Sequence, residues 1–319
     1  MLKKHLSLAL FLLIYFLLDL IFGINYTITD IEPYFLPSFL IFALWLGFGL
    51  ARILAFIIQE VEKSNPANLV SVAVIFPTIF VIFPILNLTQ NYFEQDKSKS
   101  YFAYDYCQNI LKSVEKNGII LTDVWDFYSP WLYIRHIEKS RTDVVFLDKE
   151  LFRRSWYFDY VKKVYPEIYK NSEAEINSFL EQLYLFESRQ PYDPVVIEGR
   201  YQKLYNSFWL NNYDKNLVYL IIYGQEQIQT SLLTIPEGLV FRMRKDTAYY
   251  PYEFPKWELR GVLDPDIFKD DRTLFYLSEY ALMLRKRASY LVDFKQEAQA
   301  HPLFNQAQQI QRALEIYKK

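Results

Sequence analysis

Cysteine occurs once, at Cys107, in a chain of 319 residues. A single thiol excludes an intramolecular disulfide and any multi-cysteine zinc site. Histidine occurs three times, at His5, His136 and His301. That scatter offers no histidine-rich metal site. Glycine numbers 8, where a typical usage of ~7% would supply about 22. The shortage argues against a glycine-loop nucleotide binder and rules out collagen-like and glycine-rich low-complexity classes. An excess of charge is missing too: 35 basic residues face 37 acidic ones, for a net charge of −2. This leaves no electrostatic footprint for nucleic acid, so no nucleic-acid partner is expected. Aromatic residues, by contrast, are abundant, with 27 Tyr, 26 Phe and 6 Trp. Hydrophobic residues make up 52% of the chain, which argues against global disorder. The length predicts two or three domains.

The first ninety residues read as a membrane domain. Residues 6–24 form an apolar run with one charge, Asp19; residues 35–58 form another with one charge, Arg52; residues 69–88 carry none. About 20 apolar residues cross ~30 Å of hydrocarbon as a helix, so three spans are expected. Pro77 and Pro84 in the third are tolerated in membrane helices. Lys3, Lys4 and His5 resemble the start of a signal peptide. The apolar run that follows is too long for one and is not followed by a small-residue cleavage site, so a retained helix is expected. Three such runs within ninety residues also leave too little polar surface for a soluble core. Lys3 and Lys4 precede the first span, residues 25–34 contain no Lys or Arg, and Arg52 and Lys63 lie at the far end of the second. The positive-inside rule then predicts a cytoplasmic N-terminus and an extracytoplasmic domain after the third span.

From about residue 91 the pattern changes to short apolar strands alternating with helical periodicity. Helices are expected at 102–116, 127–139, 150–164, 172–187 and 197–212, and strands at 119–122, 143–147, 217–223 and 239–242. Such alternation implies parallel strands with right-handed crossovers, hence an extracytoplasmic α/β Rossmann-like layered domain over 91–265. It carries no nucleotide fingerprint. Residues 266–319 read as a helical, tetratricopeptide-like tail, although no 34-residue repeat is present.

Several carboxylates are candidates for chemistry. Asp19, inside the first span, suits a proton relay or, more simply, a packing contact with a neighbouring helix. Asp30 and Glu32, in the 25–34 connector, could meet a metal–phosphate head group or act as acid and base; ordinary solvated charge is the plainer reading. Ligands of open α/β sheets gather beyond the carboxyl ends of strands, where Asp123, Asp126, Asp148 and Gly224 stand. Aspartate there is also a standard helix N-cap, and that reading is favoured for Asp126. Arg242 and Arg244 alternate on one strand face and could meet an anion or surface carboxylates. His136 reads as a surface residue.

Three stretches carry a family resemblance. The first is Asp30-Ile31-Glu32-Pro33-Tyr34-Phe35-Leu36-Pro37 and the apolar run after it. The second is residues 104–145, with Pro130-Trp131-Leu132-Tyr133 and Arg141-Thr142-Asp143-Val144-Val145. The third is Pro236-Glu237-Gly238-Leu239-Val240-Phe241-Arg242. In order and spacing the chain resembles the carboxyl-terminal part of the domain of unknown function 2723 family. Its animal members are transmembrane protein 260-like protein O-mannosyltransferases, of the C type of glycosyltransferases. The resemblance implies transfer of a sugar from a polyprenyl-phosphate donor, with a divalent metal as a further expectation. It also implies a multi-span catalytic half, which this chain lacks, as a missing amino-terminal part or a separate partner in the bilayer. The acidic turn Thr122-Asp123-Val124-Trp125-Asp126 lacks the family's glycine. No catalytic or metal-ligating residue is carried over. Asp30, Glu32, Asp123 and Asp126 remain as substrate-proximal candidates. The expected function is an accessory part of a glycosyltransferase-like membrane protein, inactive alone. The alternative is a non-catalytic anchored binding or scaffold module of the cell envelope.

Overall fold

The computed structural model describes residues 6–28, 31–64, 69–221 and 233–317. The chain divides into two compact units, Met1–Tyr92 and Phe93–Lys319.

In the first unit, α1 (Leu6–Asn25) and α2 (Leu36–Ser64) follow the first two apolar runs. A 3-10 turn at Glu32–Phe35 leads into α2, with Pro33 in its first positions, where a missing N–H costs nothing. Two helices, over Leu6–Asn25 and Glu32–Lys63, are long and apolar enough to cross a membrane, and both are almost wholly exposed. Exposed Leu, Phe and Ile on all sides are what a helix facing lipid requires and what a soluble helix avoids. Gly23 is buried against the Phe35 ring, which leaves no room for a Cβ there. Phe16 packs on Trp45 with ring centroids 5.1 Å apart. The third apolar run is helical as well, within α3 (Leu69–Gln95).

The second unit is mostly helical around a five-stranded sheet. After α4 (Phe102–Lys112) come β1 (Ile119–Thr122), α5 (Trp125–His136) and β2 (Val145–Asp148). Four helices follow: α6 (Ser155–Val164), α7 (Pro166–Asn171), α8 (Glu173–Glu187) and α9 (Pro194–Leu210). Then come β3 (Val218–Leu220), β4 (Leu233–Glu237) and β5 (Val240–Arg244). The helices α10 (Asp271–Asp293) and α11 (Glu297–Glu315) close the chain.

The strand order is β2-β1-β3-β5-β4. The first three strands are parallel, with Ile119 paired to Val145 and to Val218. The last two join antiparallel, β5 to β3 and β4 to β5. The parallel expectation therefore holds for three strands only. A tight hairpin through Gly238-Leu239 turns the edge antiparallel and makes the sheet mixed. Every residue of β1 and β3 is buried, so both faces of the sheet are covered, as parallel strands require. Aromatic rings fill the core: Trp131 stacks on Phe146 at 5.0 Å and Phe152 on Phe208 at 4.6 Å.

One further feature of the unit corrects the sequence expectation in detail. The second strand starts at Val145 because Asp143 is spent on a turn: it accepts from the Asn117 N–H (3.1 Å) and pairs with Arg141 (3.1 Å). Arg141 in turn donates to the carbonyls of Leu111, Val114 and Glu115, satisfying orphan acceptors where α4 ends. The helical tail is a single hairpin of α10 and α11, and α10 packs on β4.

Candidate functional site

At the carboxyl end of β1 the chain turns sharply. The Thr122 hydroxyl accepts from the Val124 N–H at 3.0 Å, and α5 begins at Trp125. Asp126 thus sits inside the first turn of α5, not at its cap. Pro130, four residues on, lacks the N–H that the Asp126 carbonyl would otherwise accept. Facing this turn is the start of α10. Asp270 caps it by accepting from the Thr273 N–H at 2.8 Å. Arg272 and Tyr276, four residues apart, then share one face of the helix. Both reach Asp126. The guanidinium of Arg272 holds both carboxylate oxygens, Nη2 at 2.8 Å from Oδ1 and 2.9 Å from Oδ2, and the Tyr276 hydroxyl donates to the same carboxylate. Burial and this carboxylate push the Tyr276 phenol well above its ordinary range, so it stays a neutral donor.

These groups line a cleft of about 350 Å³, walled by Phe102, Tyr106, Trp125 and Phe127. Trp125 is 55% exposed, although it is large and apolar, with the Tyr128 ring 5.8 Å from its own. The chemistry on offer is a fixed carboxylate, a guanidinium and a phenol hydroxyl beside an aromatic wall. Such a set hydrogen-bonds a ring of hydroxyls and stacks on the ring's C–H face.

The other predicted residues go elsewhere. Asp30 and Gly224 lie outside the described residues. Glu32 is exposed in its 3-10 turn. Asp123 pairs with Lys149 Nζ at 3.1 Å. Asp148 is buried and accepts from the Leu151 N–H at 2.9 Å; burial raises its carboxyl above the usual range. The three aspartates at the strand ends therefore diverge, and only Asp126 enters the cleft. His136 is exposed, with Nε2 3.5 Å from the Tyr160 hydroxyl. Arg272 and Tyr276 were not foreseen, because they stand 146 and 150 residues beyond Asp126. Among the described residues no three His, Cys, Asp or Glu side chains cluster as a metal-ligand set, and a guanidinium already occupies both Asp126 oxygens. A divalent metal does not fit this cleft.

Comparison with known families adds one match: the model of TMEM260-associated domain 2 matches residues 103–213. That stretch runs from α4 past the end of α9 and includes Trp125 and Asp126, but not Arg272 or Tyr276. It is consistent with a TMEM260-like family and carries no transferase activity with it. No curated relative and no solved structure matches the chain.

Proposed function

We infer that this chain is a membrane-anchored accessory part of a glycosyltransferase-like protein, and that the Asp126 cleft holds a saccharide-bearing acceptor. The observation that carries this is the cleft itself: an exposed Trp125 ring beside the Arg272–Asp126–Tyr276 cluster, with Trp125 and Asp126 inside the stretch that matches the TMEM260-associated domain. In this reading the helices of the first unit, with α3 as a third span, anchor the chain, and residues 93–319 work outside the membrane. Transfer from a polyprenyl-phosphate donor belongs to a multi-span half not contained in this sequence. There a carboxylate would take the acceptor hydroxyl proton as the sugar leaves its phosphate. The cleft supplies binding and orientation, which make the acceptor's encounter effectively intramolecular.

A second reading, a scaffold module that docks an envelope protein, is favoured by an apolar groove of about 490 Å³ between α10, α11 and residues 259–264. The experiment that separates the two is glycan binding by the full chain in detergent, read by tryptophan fluorescence and by glycan array. Binding lost at least tenfold in Trp125→Ala and in Asp126→Asn, with the fold intact by circular dichroism, supports the acceptor site. No glycan binding by the folded protein leaves the scaffold reading.

A further inference from the structure

On one face of the β4–β5 hairpin three guanidiniums meet. Register puts Glu237, Arg242 and Arg244 on the same face, since Glu237 pairs with Val240, and Val240, Arg242 and Arg244 alternate along β5. From α10, Arg287 reaches the same place. Tyr250 ties them together. Its ring lies 3.5 Å from the Arg244 guanidinium and 6.0 Å from that of Arg242, and its carbonyl accepts from Arg287 Nη2 at 2.6 Å.

The charges do not balance. Arg287 is 1% exposed and Arg242 has a side chain 17% exposed. One buried carboxylate, Glu237, lies 3.6 Å from Arg242. Asp246, the next acid along the chain, is exposed and accepts from the Tyr250 hydroxyl at 2.8 Å. Arg287 spends its two terminal nitrogens on the carbonyls of Pro236 and Tyr250, neither of which neutralises it. The Nε atoms of Arg242, Arg244 and Arg287 are all buried and have no hydrogen-bond partner among the described residues. Buried charges persist when an opposite charge and a full set of acceptors meet them. Among the described residues three guanidiniums stand beside one buried carboxylate, while Asp246 at the surface feels the charge of Arg244, so at least one positive charge stays uncompensated and three N–H donors are unused.

We propose that Arg242, Arg244 and Arg287 form an anion site that takes a phosphate group. A phosphate monoester brings negative charge and three acceptor oxygens for the three unused N–H donors, where a carboxylate brings two, and its oxygens suit the planar donor fork of arginine. Arg242 and Arg244 are half-buried, so the site opens to solvent through them, with Arg287 as its floor. The phosphate is either that of a soluble compound or that of a lipid head group; the chemistry recognised is the same. The site stands on β5 and the middle of α10 and shares no residue with the Asp126 cleft, so it holds whether or not that cleft takes a glycan.

The test uses the full chain in detergent, with inorganic phosphate as probe and chloride at matched ionic strength as control. Calorimetric titration is expected to show saturable phosphate binding, and millimolar phosphate to raise the melting temperature by several degrees over chloride. Arg244→Gln should weaken phosphate binding at least tenfold. Arg244→Lys keeps the charge, loses the fork and should weaken binding at least threefold, which serves should the glutamine variant not fold. Nanodiscs containing phosphatidic acid, set against phosphatidylcholine alone, assign the source. Competition with inorganic phosphate identifies a lipid head group, and phosphate binding without competition identifies a soluble ligand. Equal behaviour in phosphate and chloride by folded wild-type protein, with no effect of phosphatidic acid, overturns the proposal.

Discussion

One carboxylate oxygen of Asp19, in α1, accepts from both the hydroxyl and the backbone N–H of Ser38, in α2, at 2.5 and 3.1 Å. Ser38 is 3% exposed, so the contact is shielded. A carboxylate in a hydrocarbon-facing helix is costly unless a neighbour satisfies it. The residues alone left that neighbour open; it lies within the chain, nineteen residues on. Asp19 is therefore a packing carboxylate that fixes α1 against α2.

Ser38→Ala removes the hydroxyl but leaves the N–H. It should lower stability by about 1–2 kcal/mol, because a buried acceptor loses one of its donors. The double variant Asp19→Leu, Ser38→Ala removes both needs at once and should recover most of that loss. Unfolding of the purified chain on titration with sodium dodecyl sulfate measures both. A double variant no more stable than Ser38→Ala would mean that the carboxylate has another function.

Gly238 turns the β4–β5 hairpin with φ +62°, a backbone state that side chains with a Cβ adopt at a cost. A Cβ there would also collide with the Ser113 hydroxyl. That hydroxyl accepts from the Leu239 N–H at 3.2 Å and donates to the Asn109 carbonyl at 2.8 Å. Gly238→Ala should cost about 1–3 kcal/mol. Adding Ser113→Gly removes the collision with Ser113 but neither the close approach of the Tyr252 hydroxyl nor the backbone strain, so the double variant should regain only part of the loss in thermal unfolding.

Burial pushes the Glu279 carboxyl up to about 7, against the opposing pull of Lys286 and Arg285. Its ordinary value is near 4.5. Between those values the folded chain holds a proton that the unfolded chain has lost. This contribution to stability is full below pH 4.5, falls as pH rises, and is gone above about 7. The loss is on the order of 3 kcal/mol. Glu279→Gln has no proton to lose. Its melting temperature, relative to wild type, should therefore rise between pH 5 and pH 8. A difference that stays flat over that range would show that Glu279 is solvated as the charged form.

Elements governed by local periodicity were legible in the sequence. The helices of the first unit and the positions of β1, α8 and α10 follow from apolar spacing and from turn residues such as Asn117-Gly118. The hairpin that makes the sheet mixed was not foreseen: its first strand, Leu233–Glu237, carries Pro236 and little alternation, and its pairing is set by Gly238. The site was half legible. Asp126 stands where ligands of α/β sheets gather, but its partners come from α10, and no spacing rule spans 146 residues. Arg287 did leave a signal. It lies in the apolar stripe Leu277, Tyr280, Leu284, Arg287, Leu291, whose spacing of three and four residues marks a buried face, so a charge there implies a partner.

Orientation can be read with one engineered thiol. Cys107 is completely buried and burial drives its thiol far above the usual range, so the native thiol is unreactive to an aqueous reagent. Ser98 is exposed and follows α3 directly. The basic residues Lys3, Lys4, Arg52 and Lys63 predict that this point faces outward, since Lys and Arg concentrate on the cytoplasmic side of spans. Lys97 and Lys99 oppose this weakly, because large domains translocate largely regardless of charge. In a Cys107→Ser background, Ser98→Cys should react with a membrane-impermeant maleimide on intact cells, or on spheroplasts where an outer membrane intervenes. A cysteine placed at Glu60, between the second and third apolar runs, should react only after lysis. The reverse pattern would put the Asp126 cleft in the cytoplasm and remove the extracytoplasmic acceptor reading, while leaving the phosphate site on β5 and α10 as it stands.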